Sequence, residues 1–279
     1  MNDLSELPVL ILAYNRYDKF LKCIKTLNLH GVSNIFVSID GPKNNADIKN
    51  QKLIKEFLKK NKLGIKNIKL NFLKKNYGCR LGPLNGITWF FNENDYGVVL
   101  EDDGILSKNC LYGFAKLLKK YKNNSQFMSL SSFNEYCVND TKRIYSVPVW
   151  RSGGWASWSD KWKEHINFSD KIKKYNLIKL NKLLPKELRS IDTVNILKSC
   201  QLNLLDAWDY EFNFTHIAKN YRSLTFGGIN NLNYGFDDSA THTINIDNLG
   251  IDFSLFSENI IDYSKNIVLD LKSSKLILK

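Results

Sequence analysis

Cysteine, proline and arginine are scarce in this chain, and each scarcity narrows what it can be. The five cysteines, Cys23, Cys79, Cys110, Cys137 and Cys200, are scattered, odd in number and form no C-x-x-C pair. That spacing suits neither a disulfide framework nor a zinc site, so reduced thiols in a cytoplasmic protein are expected. No low-complexity stretch marks a linker. No apolar run approaches the roughly 20 residues of a membrane-crossing helix. The longest near the start, Leu7–Ala13, is of strand length and follows Asp3 and Glu6, which argues against a secretory leader. Basic residues outnumber acidic ones 40 to 28 for a formal charge of +12, yet only six are arginines. Diffuse lysine with no clustered basic motif argues against a nucleic-acid surface and leaves peripheral contact with anionic membrane open.

What is present is ample material for a core, with 43% hydrophobic and 13% aromatic residues. Two periodicities alternate through the first 130 residues. Pro8–Tyr14, Asn34–Ile39, Asn67–Leu73, Gly97–Leu100 and Phe127–Ser131 read as strands. Between them, helices are expected after Asp18 as cap, over Ile48–Lys60, over Pro83–Asn92 with the proline in its first turn, and over Leu106–Lys122. This order predicts an α/β domain with a mostly parallel sheet and helices on both faces. Beyond residue 135 the pattern weakens. Helices are expected over Ile191–Leu205 and Ala207–Asn220, a polar loop over Asn230–Thr243 and a small hairpin over Ile267–Leu278.

Ligands of such sheets bind at the carboxyl ends of the strands. Those ends carry Ala13-Tyr14-Asn15-Arg16, Asp40, Asn76-Tyr77-Gly78 and Glu101-Asp102-Asp103. Three consecutive carboxylates after an apolar strand repel one another unless something positive lies among them. A divalent cation holding a nucleotide's diphosphate answers that need, since Mg²⁺ or Mn²⁺ takes one or two protein carboxylates and fills its shell with phosphate and water oxygens. The plainer alternative is that Asp102 or Asp103 caps the following helix.

The run VVLEDDGILSKNCLYGFAKLL, preceded by PVLILAYNR and SIDG, resembles the GT-A glycosyltransferases, in particular the N-acetylglucosaminyltransferase I type and bacterial surface-polysaccharide transferases. Three later marks extend the likeness: Gly153-Gly154-Trp155, Trp208-Asp209 and the loop GFDDSATHT over Gly235–Thr243. The resemblance implies a GT-A, Rossmann-like sheet in which residues 1–134 bind the nucleotide-sugar. Residues 135–279 would form an elaborated acceptor-side and catalytic half of the same domain.

By position, the resemblance assigns Asp103 and His242 to the metal, Mn²⁺ or Mg²⁺. Ala13, Tyr14, Asn15, Arg16, Asp40, Glu101 and Asp102 fall around a donor expected to be UDP-linked. Asn76, Gly78 and Arg80 match the bacterial relatives' nucleotide contacts, though this loop departs from the N-acetylglucosaminyltransferase I pattern. Gly154 would allow close backbone approach, and Trp155 would form an apolar wall for the sugar. Core packing is the alternative for the four tryptophans of Trp150–Trp162, and a turn role for Asp40. Asp209 is the expected general base, with Asp206 and Glu211 as rivals and helix capping as the alternative for the aspartates.

The implied activity is metal-dependent, inverting transfer from a nucleotide-sugar to a glycan or lipid-linked acceptor, in a cytoplasmic setting at the inner face of the membrane. A sugar-nucleotide nucleotidyltransferase would carry a glycine-rich loop after the first strand, where this chain has Ala13-Tyr14-Asn15-Arg16. A non-enzymatic basic binding module would have no use for acids on the ligand rim.

Overall fold

The computed structural model describes residues 3–132, 143–228 and 230–234, with the backbone of 267–269. Cys137, the 235–243 loop with His242 and most of the expected terminal hairpin lie outside the described residues. The first hundred residues alternate as the periodicity predicts: β1 (Pro8–Ala13), α1 (Tyr17–Leu29), β2 (Asn34–Ile39), α2 (Asn45–Lys60), β3 (Asn67–Phe72), α3 (Gly78–Glu93) and β4 (Tyr96–Glu101). Then come β5 (Gly104–Leu106), α4 (Lys108–Lys120), β6 (Phe127–Ser131), β7 (Ile144–Val147) and β8 (Trp155–Trp158). Four helices follow, α5 (Ser159–Ile172), α6 (Leu177–Leu183), α7 (Ile191–Gln201) and α8 (Asp209–Ala218), before β9 (Arg222–Phe226), β10 (Asn231–Asn233) and β11 (Ile267–Leu269).

The described strands form one nine-stranded sheet in the order β11-β7-β9-β6-β8-β4-β1-β2-β3, and β5 pairs with β10 in a separate ribbon. Parallel pairing joins β3, β2, β1 and β4, as well as β6 to β9 and β7 to β11. The chain is thus an α/β protein with a mostly parallel sheet flanked by helices. Burial on both faces explains why β1 reads as an uninterrupted apolar run. Its Val9, Ile11 and Ala13 enter one core with Phe20, Cys23, Ile24 and Leu27 of α1. Leu10 and Leu12 point the other way, into an aromatic core with Phe90, Phe91, Trp150, Trp155, Trp162, Trp208 and Phe212. Helices α5 to α8 share a third, smaller core around Ile172, Leu180, Val194 and Phe214.

Three local expectations change. The Gly-Trp segment forms β8, antiparallel between β4 and β6, because Trp155 and Trp158 fill the cores on opposite faces of the sheet. Helix α3 starts at Gly78, so Pro83 lies inside it rather than in its first turn. Helix α1 starts at Tyr17 with Arg16 at the cap position, and Asp18 sits in the first turn.

Two histidines are fully buried around Phe212. His165 Nδ1 meets Thr215 Oγ1 at 2.8 Å, and His216 is held by Ser129 Oγ at 2.8 Å and the Phe212 carbonyl at 2.9 Å. Burial pushes them down to about 3 and about 4 respectively. Between those values and the unfolded value of about 6.5, the unfolded chain binds more protons, so their contribution to stability falls as pH falls. The His165→Gln variant is expected to lose less stability than the wild type between pH 7 and pH 5, by about 1–2 kcal/mol in urea unfolding. The comparison between the two chains cancels other groups titrating over the same range.

Candidate active site

Strands β2 and β3 build outward on one side of β1 while β4 lies on the other, so the strand order reverses between the carboxyl ends of β1 and β4. Such a reversal opens the crevice in which α/β sheets bind ligands. A cavity of about 450 Å³ lies there, within the size range of small-molecule sites. Eleven of the expected residues line it: Ala13, Tyr14, Asn15, Arg16, Asp40, Asn76, Gly78, Glu101, Asp102, Asp103 and Asp209.

The three acids are not helix caps. Ser107 caps α4, its side chain accepting from the Cys110 amide at 3.1 Å, and β5 separates it from Asp103. Asp102 and Asp103 are buried, and the guanidinium of Arg16 forks onto both, one nitrogen on Asp102 Oδ1 and the other 2.8 Å from Asp103 Oδ2. The second oxygen of Asp103, Oδ1, is buried without a hydrogen-bond partner among the described residues. Glu101 opens onto the cavity, but the surrounding protein, then Asp103 and Asp102, push its carboxyl up to about 8. Arg16 opposes that rise and Asp209 adds to it from the other wall. Burial likewise raises Asp102 to about 6 against the pull of Arg16. Negative charge exceeds positive charge on the floor of this cleft, and one oxygen has no donor. A divalent cation fits that donor set. Among the described residues no group of three or more His, Cys, Asp or Glu converges as a complete metal cage.

The opposite wall is organised by the first turn of α3. Asp40, at the end of β2, accepts from the amides of Tyr77 and Gly78 at 2.9 Å each. Asp206 accepts from Cys79 and Arg80 at 2.9 and 2.7 Å. Donors that a helix start leaves without partners are thereby satisfied by two carboxylates remote in sequence. Glycine is required at position 78, where φ is +77° and a Cβ would lie 2.5 Å from the Asp206 carboxylate. Arg80 turns away from the cavity into a buried pair with Glu211 at 2.6 Å and a bond to Asn203 at 2.9 Å, while Ser169 holds the other Glu211 oxygen at 2.6 Å.

Asp47, in the first turn of α2, fixes three lining residues at once. Its buried carboxylate accepts from the Tyr14 hydroxyl, from Asn15 Nδ2 at 2.6 Å and from the Lys43 amide at 2.9 Å. Burial would raise its carboxyl, and these hydrogen bonds outweigh burial to hold it below the usual range. Burial and the bond to Asp47 push the Tyr14 phenol upward.

Three of the expected residues lie elsewhere among the described ones. Arg80 is in the Glu211 pair. Trp155 is 1% exposed, packed edge-on or tilted against Trp150, Trp162, Trp208 and Phe212. Gly154 has φ of +81° and abuts Leu106 and Leu100. The wall also includes Lys43, Ser152, Trp208 and Asn233, which sequence reasoning did not assign to it, and Asp206, which it named as a rival base. Trp208 belongs to the Trp-Asp pair already singled out and Asp206 lies two residues before it; Asn233 arrives through the β5–β10 ribbon, which has no local signal.

No family model matches the chain, and no curated protein matches it. Among solved structures, it is similar to a mannosyltransferase from Pyrobaculum calidifontis in complex with GDP-Man and Mn²⁺, at 8% identity and a TM-score of 0.42 over 77% of this chain and 69% of that one. The WbbM bifunctional glycosyltransferase is similar at 12% identity and a TM-score of 0.40, with 81% of this chain spanning 40% of that one. A mannose-1-phosphate geranyltransferase from Thermus thermophilus is similar at 9% and 0.43, covering 81% and 76%.

Removing the Asp206 carboxylate strands two helix amides, so Asp206→Ala is expected to lower stability by about 1–2 kcal/mol in urea unfolding. Gly78→Ala should cost a comparable amount. The double variant should cost less than the sum, because the clash at position 78 is with the group being removed.

Proposed function

We propose that this chain is a metal-dependent, inverting glycosyltransferase. It would move a sugar from a nucleotide diphosphate sugar, taken here as a UDP-sugar, to a hydroxyl of a glycan or lipid-linked acceptor in surface polysaccharide synthesis. The observation that carries this reading is the acid floor of the cavity, with Asp103 Oδ1 buried and undonated at the carboxyl end of a central parallel strand. Asp103, with Asp102 beside it, would hold Mn²⁺ or Mg²⁺. When bound, the ion supplies positive charge against the diphosphate as it leaves.

The chain's own residues divide the remaining work. Helix N-termini often bind phosphate, but the first-turn amides of α3 are already held by Asp40 and Asp206. That terminus is therefore not open to the donor's diphosphate, which would meet positive charge at the ion on the acid floor, with Lys43 also in the wall. Tyr14 and Asn15, set by Asp47, present one wall to the nucleotide, and Trp208 offers an apolar surface to a ring. Of the three candidate bases, both oxygens of Asp206 accept from α3 and Glu211 is held by Arg80 and Ser169. Asp209, half-buried on the first residue of α8, faces Glu101 across the cavity. Asp209 would take the acceptor hydroxyl's proton as that oxygen bonds to the anomeric carbon. The bond from that carbon to the diphosphate oxygen breaks on the opposite face, and a nucleoside diphosphate leaves.

Titration calorimetry should detect UDP-sugar binding with Mn²⁺ and none in chelator, and Asp103→Asn should weaken that binding at least tenfold. Asp209→Asn should leave donor affinity intact and lower kcat by about a hundredfold or more. Product with the donor's anomeric configuration retained would refute the inverting step.

A further inference from the structure

Helices α6 and α7 turn Leu180, Leu184, Val194 and Leu197 inward, yet leave Ile178 and Ile191 69% and 55% exposed. The turn after α7 goes further, with Leu202 at 63% and Leu204 at 77% exposure. This turn is ordered. The Leu202 amide donates to Lys198, Asn203 to Cys200, and Leu204 and Leu205 both to the Ser199 carbonyl, at 2.8 to 3.1 Å. Asn203 adopts the left-handed conformation at φ 57°, and its side chain accepts from Arg80 at 2.9 Å. Two large apolar side chains are therefore held outward on a braced turn, two to four residues before the cavity-lining segment Asp206–Asp209.

The flanking charge is one-sided. Residues 171–198 carry eight Lys or Arg against Glu187 and Asp192 alone. Apolar tips bordered by basic side chains have the chemistry of elements that lie in a membrane interface, the tips entering the acyl boundary and the cations meeting anionic headgroups. An acidic protein partner would satisfy the lysines but would offer less to leucines at such exposure.

We propose that the α6–α7 hairpin with the Leu202–Leu204 turn docks on an anionic lipid bilayer, setting the mouth of the cavity at the membrane surface. The inference rests on surface chemistry and is independent of the reaction proposed above, because it can be read without donor, metal or acceptor.

The test is co-sedimentation of the full chain with vesicles of equimolar phosphatidylglycerol and phosphatidylcholine, compared with phosphatidylcholine alone. Binding is expected to the anionic vesicles only and to weaken in high salt. Leu202→Ser with Leu204→Ser should reduce apparent affinity at least tenfold. Lys174→Gln, Lys182→Gln and Lys186→Gln together should reduce it about a hundredfold, from about fivefold per charge. Both variants should keep the wild-type thermal unfolding. Failure to bind anionic vesicles, or undiminished binding in both folded variants, would overturn the proposal. So would a wild-type dimer, seen by light scattering, that the leucine substitutions dissociate without any vesicle binding by the wild type.

Discussion

The first turn of α3 is the joint on which the site depends. Its amides are held by Asp40 from the end of β2 and by Asp206, which lies 126 and 127 residues beyond its partners Arg80 and Cys79. The buried pair of Arg80 with Glu211 seals the same turn from behind. Breaking one side of such a pair leaves a charge without compensation, which typically costs about 3–5 kcal/mol. These contacts tie residues 206–211 to the carboxyl end of β2 and the start of α3, and the cavity lies beside that joint.

The capping carboxylates also set the cavity's electrostatics. They neutralise a helix terminus that would otherwise attract anions, while the end of β4 contributes the carboxylates of Asp102 and Asp103 beside the raised carboxyl of Glu101, and Arg16 offsets only part of the aspartates' charge. A chain with formal charge +12 thus keeps a locally acidic cleft inside a basic exterior. The contrast suits the donor proposed above, which would bring a cation with it, better than a bare polyanion.

The strand ends were legible in the sequence because a parallel sheet buried on both faces writes its strands as apolar runs, and polar residues at the ends of those runs fall on the rim. Ala13–Arg16, Asp40 and Glu101–Asp103 reach the cavity by that logic alone. The α3 start was hidden because its caps come from distant loops, and a proline six residues into a helix reads as a beginning. The tryptophans misled for a related reason: Gly153-Gly154-Trp155 has the composition of a binding loop, but alternation along β8 sends Trp155 into the aromatic core. Asp47 was invisible because its role depends on Tyr14, Asn15 and Lys43 meeting across two loops, a relation no spacing encodes.

Arg16 has a consequence for how the protein is made. Its guanidinium rests on Asp102 and Asp103 from the cap position of α1, so the mutual repulsion of these buried acids is already relieved by a covalently attached charge. Small metal-organised domains collapse when stripped of their ion. Were the cation proposed above to bind here, it would not be needed to hold these acids together, so folding of the domain would not wait on its arrival.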